Sequence, residues 1–234
     1  MRALLLVFIV ALATPARAWP VDWVHDVEAG KERFVRLPHV DWWEVEDPKV
    51  LQVEWLADSN ELLLSGLKAG RTVVLLGSEG KVAAWRVRVG QPPLRDEKLA
   101  AAAQKACPDL KWTPLDDVKL TVTAHAEPCR LALHALFQTD AVEARGLELT
   151  VSGEVLQAQL KALQRAFEGV AKGKVKARYV GAGLVLTGKV TQAEHRKVLW
   201  EVLRQSLGRF ALDDQLEVEP AAAPATDAGP PTKR

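Results

Sequence analysis

The sequence predicts an α+β fold, in which a small all-β module is followed by a mixed α/β region. Between Val21 and Val89, short apolar runs are separated by Gly, Pro, Asp and Asn at regular intervals, which is typical of a compact all-β unit. After the Pro92-Pro93 break, the apolar spacing changes to that of helices interleaved with strands. A chain of 234 residues is long enough for one large domain or for two to three small ones.

The first 18 residues predict a secretory signal peptide. Arg2 supplies a positive start, residues 3–12 are all apolar, and residues 16–18 read Ala-Arg-Ala, the pattern of a cleavage site. This apolar run is too short to cross a bilayer as a helix. We therefore expect cleavage after Ala18, export, and a mature chain that works in the periplasm without a transmembrane segment.

The charge balance argues against two classes of partner. The full chain has 31 Lys and Arg residues and 30 Asp and Glu residues, and loss of Arg2 and Arg17 with the signal peptide leaves a net charge of −1. Such a balance favours neither nucleic acid nor an anionic membrane surface. Residues 220–234 contain four prolines and no large apolar side chain, so they predict a disordered tail.

The all-β module is assigned to residues 19–91. Short apolar runs predict its strands, and small polar residues at 57–60 and 77–80 supply turns, because they tolerate the positive φ of tight connections. The last run alternates, so one face of that strand should be buried and the other wet. The predicted strands are 33–37, 50–56, 61–66, 71–77 and 82–89.

The mixed region divides into a connecting part, residues 94–145, and a final unit, residues 146–219. Thr191, followed by Glu194 three residues later, predicts a capping box at the start of the last helix. The predicted helices are 94–106, 128–138, 154–170 and 191–207, and the predicted strands are 118–124, 146–152, 174–180, 183–190 and 213–220. The final unit therefore has the order β-α-β-β-α-β.

Residues 28–89 resemble the pilus-formation N-terminal domain of Tad-type (CpaC-like) secretins. The residues that carry the resemblance are Gly30-Lys31, Asp47-Pro48-Lys49-Val50, the segment from Gly66 to Thr72, and the alternating strand Ala84–Val89. The resemblance implies a periplasmic module that takes part in pilus or secretion assembly. Its partners would be envelope proteins, a secretin among them.

Residues 146–219 resemble a BON domain, a βαββαβ module of envelope proteins that also occurs in those secretins. The segment Val185–Val190, which reads VLTGKV, and the closing Leu216-Glu217-Val218 carry this resemblance. A secretin would continue into a pore-forming β-domain. Here a tail follows instead, so we expect a secretin-like neck without its channel.

The two cysteines, Cys107 and Cys129, predict a disulfide. They are the only thiols in a chain expected to be exported, and disulfides form in oxidising compartments. Closing this loop would contribute about 3 kcal/mol in the chain-entropy model. The alternative is a metal site with His125 and His134, although no Cys-x-x-Cys unit is present. We favour the disulfide and expect no metal and no cofactor.

The sequence predicts a protein that is not an enzyme. No Gly-x-Ser-x-Gly, His-Glu-x-x-His or phosphate-loop motif occurs. His195, beside Glu194 on the capped helix, is expected to be a solvated surface residue. An exported hydrolase is the least favoured alternative, because no nucleophile and base, and no ligand set, stand out.

The tryptophans supply the candidate binding residues. There are eight tryptophans against one tyrosine, and Trp42-Trp43 are adjacent where the resembling family has smaller residues. Adjacent side chains of a strand point to opposite faces, so Trp42 and Trp43 cannot both enter one core. One of the two is therefore a candidate interface anchor. The alternative is that both faces of the strand are covered.

We therefore predict a non-enzymatic periplasmic accessory protein of a pilus or secretion apparatus that contacts other envelope proteins. The alternative is a BON-type protein that binds envelope lipid or peptidoglycan outside any pilus system. Self-association is left open by the sequence.

Overall fold

The computed structural model describes residues 23–94, 96–110, 121–140, 148–181, 183–206 and 212–219. The expected signal peptide, its cleavage site after Ala18 and the expected tail at 220–234 lie outside these residues. Among the described helices, none has the length and apolar character needed to cross a membrane.

The first part of the chain is all-β, as predicted. Each expected strand is present with small shifts at its ends, and β1 and β3 are additional short strands. Positive φ angles at Asn60, Glu79 and Gly80 confirm the two predicted turns. The strands are β1 (Trp23–Val27), β2 (Glu32–Arg36), β3 (Trp42–Val45), β4 (Leu51–Leu56), β5 (Glu61–Gly66), β6 (Gly70–Ser78) and β7 (Lys81–Val89).

Two sheets form a β-sandwich in this part of the chain. The first has the order β1-β7-β6-β3, with β1 parallel to β7, and the second has the order β2-β5-β4. Since strand side chains alternate between faces, each sheet contributes one apolar row to the space between the sheets. The buried residues of this core are Val27, Val40, Val50, Leu51, Leu62, Leu64, Val74, Leu76, Trp85, Val87 and Val89.

The other face of the four-stranded sheet is covered by the second part of the chain. Leu75 of β6 and Ala84 of β7 are fully buried, and both belong to the hydrophobic cluster formed by the C-terminal residues. These two residues are cross-strand partners, so they form one apolar patch on this face. The four-stranded sheet is therefore a central layer, buried on both faces.

The second part mixes helices and strands, as predicted. The capping box at Thr191 and Glu194 is present, with each residue satisfying a backbone N–H of the other. The helices are α1 (Glu97–Ala106), α2 (Glu127–Phe137), α3 (Gly153–Ala171) and α4 (Gln192–Gln205). The strands are β8 (Thr121–Ala124), β9 (Glu148–Val151), β10 (Val175–Val180), β11 (Gly183–Thr191) and β12 (Leu212–Glu219).

The last three strands form a sheet of order β10-β11-β12. Leu184 and Leu186 of β11 point into a core with α3 and α4, as the alternation of this strand predicts. Gly188 has a φ of 141°, and a side chain there would collide with the carbonyl oxygen of Lys174. The Thr-Gly break is therefore a point of close backbone approach between β11 and the start of β10.

The pairing of β9 differs from what the βαββαβ resemblance implies. The order β9-α3-β10-β11-α4-β12 is as predicted, but β9 pairs in parallel with β8 in a separate two-stranded sheet. The chain between them forms α2, which is the usual crossover for parallel strands. A BON-like arrangement of strands is therefore not what the described sheets show.

The predicted disulfide is present. Cys107 and Cys129 are bonded, with their Cα atoms 4.9 Å apart, and both are buried. The bond joins the end of α1 to the first turn of α2. The alternative of a metal site with His125 and His134 requires both thiols, which this bond uses, and His125 lies beside Asp109 on the surface.

Candidate interaction surface

The strand β3 forms one edge of the four-stranded sheet. It pairs with β6 on one side, and no described strand pairs with its other side. The Glu46 N–H donates to the Val73 carbonyl, 2.9 Å away, so the backbone groups of Glu46 face β6. In an antiparallel pair the backbone polar groups of every second residue point to the partner strand. Those of Trp43 and Val45 therefore point to the open edge.

Trp42 lies on the face of β3 that is covered by α4. Its ring packs over Gly77 of β6, where no side chain beyond hydrogen would fit. The guanidinium carbon of Arg196 lies 3.4 Å from the centre of a Trp42 ring, a cation–π contact, and the His195 ring meets Trp42 edge-on. Trp42 is thus committed to contacts within the chain.

Trp43 lies on the opposite face, as the strand period predicts, and 38% of it is exposed. Its indole Nε1 donates a hydrogen bond to the Val53 carbonyl, 3.1 Å away on β4. Because β4 is the edge of the second sheet, this bond links the two edges at one corner of the sandwich. Of the two candidate anchors, Trp43 is the one that offers surface to a partner.

Three cavities border β3. On the α4 side, a cleft of about 570 Å³ is lined by Trp42, Glu44, Arg196 and Lys197, and a second of about 250 Å³ continues it past Val45. On the sandwich side, a groove of about 320 Å³ runs between β3 and β4. Its apolar lining is Trp43, Val45, Pro48, Leu51, Val53 and Leu67. The open edge therefore has a depression on each face.

The cleft on the α4 side is lined by groups of both signs, with Arg196 and Lys197 beside the carboxylates of Asp41 and Glu44. Lys197 makes no ion pair with any described residue, and no hydrogen-bond acceptor among the described residues meets the buried Nη1 of Arg196. Burial lowers the pKa of Arg196, and the nearby carboxylates of Glu44 and Asp214 oppose this effect. Asp41 is already engaged, by the Glu79 N–H at 2.8 Å and by His39 at 2.9 Å.

His195 is buried, and the prediction of a solvated surface residue is wrong. Its side chain is 8% exposed, and its Nε2 lies 2.6 Å from Oδ2 of Asp214 on β12. The residue faces the junction of α4, β12 and Trp42, which the sequence of α4 alone does not indicate. The His195–Asp214 pair helps to fix α4 against both β12 and the sandwich.

A buried ionic cluster joins the sandwich to the connecting region, and sequence reasoning missed it. The Asp140 carboxylate is 1% exposed; it accepts from Nη1 of Arg86 at 3.1 Å and lies 3.6 Å from Nη1 of Arg88. Arg86 also donates to the carbonyls of Phe137 and Thr139, at 2.8 and 2.6 Å. The spacing of Arg86 and Arg88, two residues apart in β7, indicates that both side chains lie on one face of the sheet. It does not indicate that this face is buried.

A second buried histidine lies inside the sandwich. His25 of β1 is 9% exposed and packs on Trp85, with ring centres 4.6 Å apart. Burial lowers the pKa of His25 to about 4, and the nearby Arg33 adds to this effect. Neither ring nitrogen has a hydrogen-bond partner among the described residues. His25 is therefore held neutral.

Metal ligands do not group in the part of the chain that the structure describes. No three side chains from His, Cys, Asp and Glu come together there in a way that would hold a metal ion. The candidate site is therefore the open edge of β3, with the bridging indole of Trp43 and a depression on each face.

The sandwich is similar to a known family. Residues 24–90 match the model of the family described as "Pilus formation protein N terminal region". The match spans the β-sandwich and includes β3. The match supports the resemblance of residues 28–89 to a pilus-formation N-terminal domain.

Two further comparisons add little. No curated protein matches the sequence. Among solved structures, one similar chain is the "Crystal structure of the S-layer protein SbsC domains 4 and 5", with 13% identity and a TM-score of 0.24. That match covers 29% of this chain and 41% of the other, and a similarity so low carries no argument about fold or function.

Proposed function

We propose that this chain is a non-enzymatic accessory protein of a pilus or secretion apparatus, exported to the periplasm, where it contacts other envelope proteins. The single observation that carries the proposal is the pilus-formation match at residues 24–90. The resemblance of residues 146–219 to a BON domain rests on two short motifs and the order of elements, and the proposal does not depend on it.

The geometry of the sandwich supports a role in protein contacts. One face of its four-stranded sheet is covered by the C-terminal part of the chain, which contacts it at Leu75, Ala84 and the Asp140 cluster. The β3 edge keeps Trp43 accessible, with a depression on each side. Large aromatic side chains at an accessible edge are typical anchors of protein interfaces. We assign the contact surface of the protein to this edge.

Photo-crosslinking in living cells tests this function. A photoreactive phenylalanine analogue is placed at Trp43 in the chromosomal copy, and the matched control carries it at the exposed Glu54 on the outer face of β4. We expect a defined adduct with a pilus or secretion component from position 43 and none from position 54. Deletion of the gene should also reduce pilus assembly or secretion. An unchanged deletion strain together with no specific adduct would overturn the proposed function.

A further inference from the structure

We propose that the Cys107–Cys129 disulfide is a redox-dependent lock between the two parts of the chain. In the oxidised chain the end of α2 is held against the four-stranded sheet of the sandwich. In the dithiol chain this contact is open, while the sandwich itself stays folded. The lock is independent of the function proposed above. The helices and strands that carry it, α1, β8, α2 and β9, are named the middle unit.

The middle unit has a small core, and the disulfide lies inside it. Both half-cystines belong to its buried cluster, where two of the other members are the alanines Ala103 and Ala124. Its described sheet has two strands, β8 and β9. A two-stranded sheet over a small core is marginal by itself, and small units of this kind depend on a cross-link. The position of α2 therefore depends on the disulfide.

Polar groups attach the end of α2 to the sandwich. Arg86 of β7 donates to the carbonyls of Phe137 and Thr139, at 2.8 and 2.6 Å. It also donates to the Asp140 carboxylate, 3.1 Å away. Among the described residues, the buried cluster of the middle unit includes no side chain of the sandwich. Since hydrogen bonds weaken steeply with distance and angle, this attachment holds only while the end of α2 keeps its place.

The linker between the two parts is fastened at the same point. The Leu94 N–H donates to Oδ2 of Asp140 at 2.6 Å, and the Asp140 N–H donates to the Leu94 carbonyl at 2.9 Å. Arg71 of β6 donates to the carbonyl of Pro92, 2.5 Å away. The segment after the Pro-Pro break is therefore not a free hinge in the oxidised chain, because Asp140 holds it.

The disulfide acts at the opposite end of the same helix. Cys129 lies in the first turn of α2, and the next residue, Arg130, is buried. Arg130 donates to the Glu127 carboxylate and, at 3.0 Å, to the carbonyl of Gln205 at the end of α4. A helix of 11 residues is a rigid rod about 16 Å long. Fixing its first turn therefore fixes the acceptors that its last residues offer to Arg86.

Loss of the disulfide should open this contact rather than weaken it gradually. A displaced α2 would leave the Arg86 guanidinium buried without its acceptors, which costs more than its return to water. Arg88 would stay paired with Asp26, whose Oδ1 lies 2.6 Å from its Nε. The sandwich also has a core of its own, which contains no residue of the middle unit. The open state is therefore a folded sandwich with a solvated Arg86.

The lock closes by thiol–disulfide exchange. The two Sγ atoms become bonded, and two electrons and two protons pass to an external disulfide, which is reduced to two thiols. In the folded chain Cys107 and Cys129 are only 1% and 3% exposed. An oxidant therefore has to reach the thiols before the core closes around them. The lock is set while the chain folds.

The test compares the oxidised full-length mature chain with the double variant Cys107→Ala, Cys129→Ala. Amide hydrogen exchange, followed residue by residue by NMR, reports the contact, because the amides of Leu94 and Asp140 are donors in it. In the double variant we expect these two amides to exchange at least about 100-fold faster, relative to the paired amides of β6 and β7. The matched control is Leu163→Ala in the C-terminal core, which lowers overall stability but should leave this ratio unchanged.

A second measurement tests the coupling between the two ends of α2. Asp140→Asn removes the charge at the sheet end and should lower the denaturation midpoint of the oxidised chain. In the cysteine-free background the same change should have at most about a quarter of that effect, because the contact is already open. Asp58→Asn, at an exposed turn, should have no effect in either background.

Three results would overturn the inference. One is unchanged protection of the Leu94 and Asp140 amides in the double variant. Another is an equal effect of Asp140→Asn in both backgrounds, which would show that the contact forms without the disulfide. The third is a double variant that is wholly unfolded, because the lock requires the sandwich to stay folded when it opens.

Discussion

The indole of Trp43 donates a hydrogen bond to the carbonyl of Val53, so one side chain joins the edge strands of both sheets. Replacing Trp43 by phenylalanine keeps the ring in the groove but removes the donor. We expect the free energy of unfolding to fall by about 1 kcal/mol, because the carbonyl keeps partial access to water. Chemical denaturation of both proteins measures this difference, and equal m-values in the two would show that both unfold to the same extent.

The adjacent Trp42 should behave differently. It packs over Gly77 and beneath Arg196 within the shared core, so Trp42→Ala should lower the free energy of unfolding by about 3 kcal/mol. The amount of crosslinked partner should fall in Trp42→Ala only in proportion to the loss of folded protein. Thermal unfolding and photo-crosslinking in the same variants separate the two effects. Equal destabilisation by Trp42→Ala and Trp43→Phe would show that both residues serve only the fold.

The Asp140 carboxylate should be among the most sensitive positions of the chain. It is buried beside Arg86 and Arg88. Its removal leaves the buried Arg86 guanidinium without a carboxylate partner, whereas Arg88 keeps Asp26, whose oxygens lie 2.6 and 2.7 Å from its nitrogens. We expect Asp140→Ala to cost about 3–5 kcal/mol in the free energy of unfolding. Asp58→Ala, at an exposed turn, is the matched control and should change stability by less than about 0.5 kcal/mol. Similar unfolding midpoints for both variants would contradict the role assigned to the cluster.

Stability should depend on pH through His25. Burial is the main reason why the pKa of His25 is lowered in the folded state to about 4, from the ordinary value of 6.5. The unfolded chain therefore binds a proton more readily, and stability is fully present above pH 6.5 and is lost as the pH falls towards 4. The expected loss is about 3 kcal/mol. Burial lowers the pKa of His134 as well, so it contributes with the same sign.

A His25→Phe variant isolates this effect. The slope of stability against pH between 4 and 6.5 should become shallower than in the wild type, while His39→Gln at the surface should leave it unchanged. Denaturant unfolding at several pH values gives the slope directly. An identical slope in His25→Phe would show that another group accounts for the pH dependence.

The disulfide should contribute through the unfolded state. We expect no free thiol when the mature, unreduced protein is unfolded and titrated, and a titre of two thiols would contradict the Cys107–Cys129 bond. The double variant Cys107→Ser, Cys129→Ser should be less stable by about 3 kcal/mol, because a closed loop of this size restricts the unfolded chain. Reduction of the wild type should produce the same loss, whereas reduction of the variant should produce none.

The two parts of the chain should depend on each other for stability. The Pro92-Pro93 break predicts a boundary at which each side could fold alone, and that boundary stays a prediction. The contacts across it favour coupling, since Leu75 and Ala84 belong to the C-terminal core and Asp140 pairs with arginines of β7. We expect a fragment of residues 94–234 to melt at a lower temperature than the full chain. Identical melting temperatures would mean that contact with the four-stranded sheet does not stabilise the C-terminal part.

Local signals explain where sequence reasoning succeeded. The capping box at Thr191 and Glu194, the positive φ angles at Asn60 and Gly80, and the two-residue period that separates Trp42 from Trp43 all depend on residues within one turn or one strand. Such interactions are decided over a few residues, so a single sequence contains them. The pilus-formation resemblance was found for the same reason, because its motifs are short and ordered along the chain.

The tertiary structure alone decided which surfaces meet. The sequence of α4 places His195 on a helix, but only the docking of Trp42 and Asp214 shows that it is buried. The sequence of β9 predicts a strand, but only the structure, in which α2 forms the crossover, shows that this strand pairs with β8. Burial and strand pairing depend on residues far apart in the chain, whose contacts no local period encodes. By itself the sequence determined most of the elements, the disulfide and the opposite directions of Trp42 and Trp43. The structure added the strands β1 and β3, and it decided that one face of β3 is covered and that no described strand pairs with the edge beside Trp43.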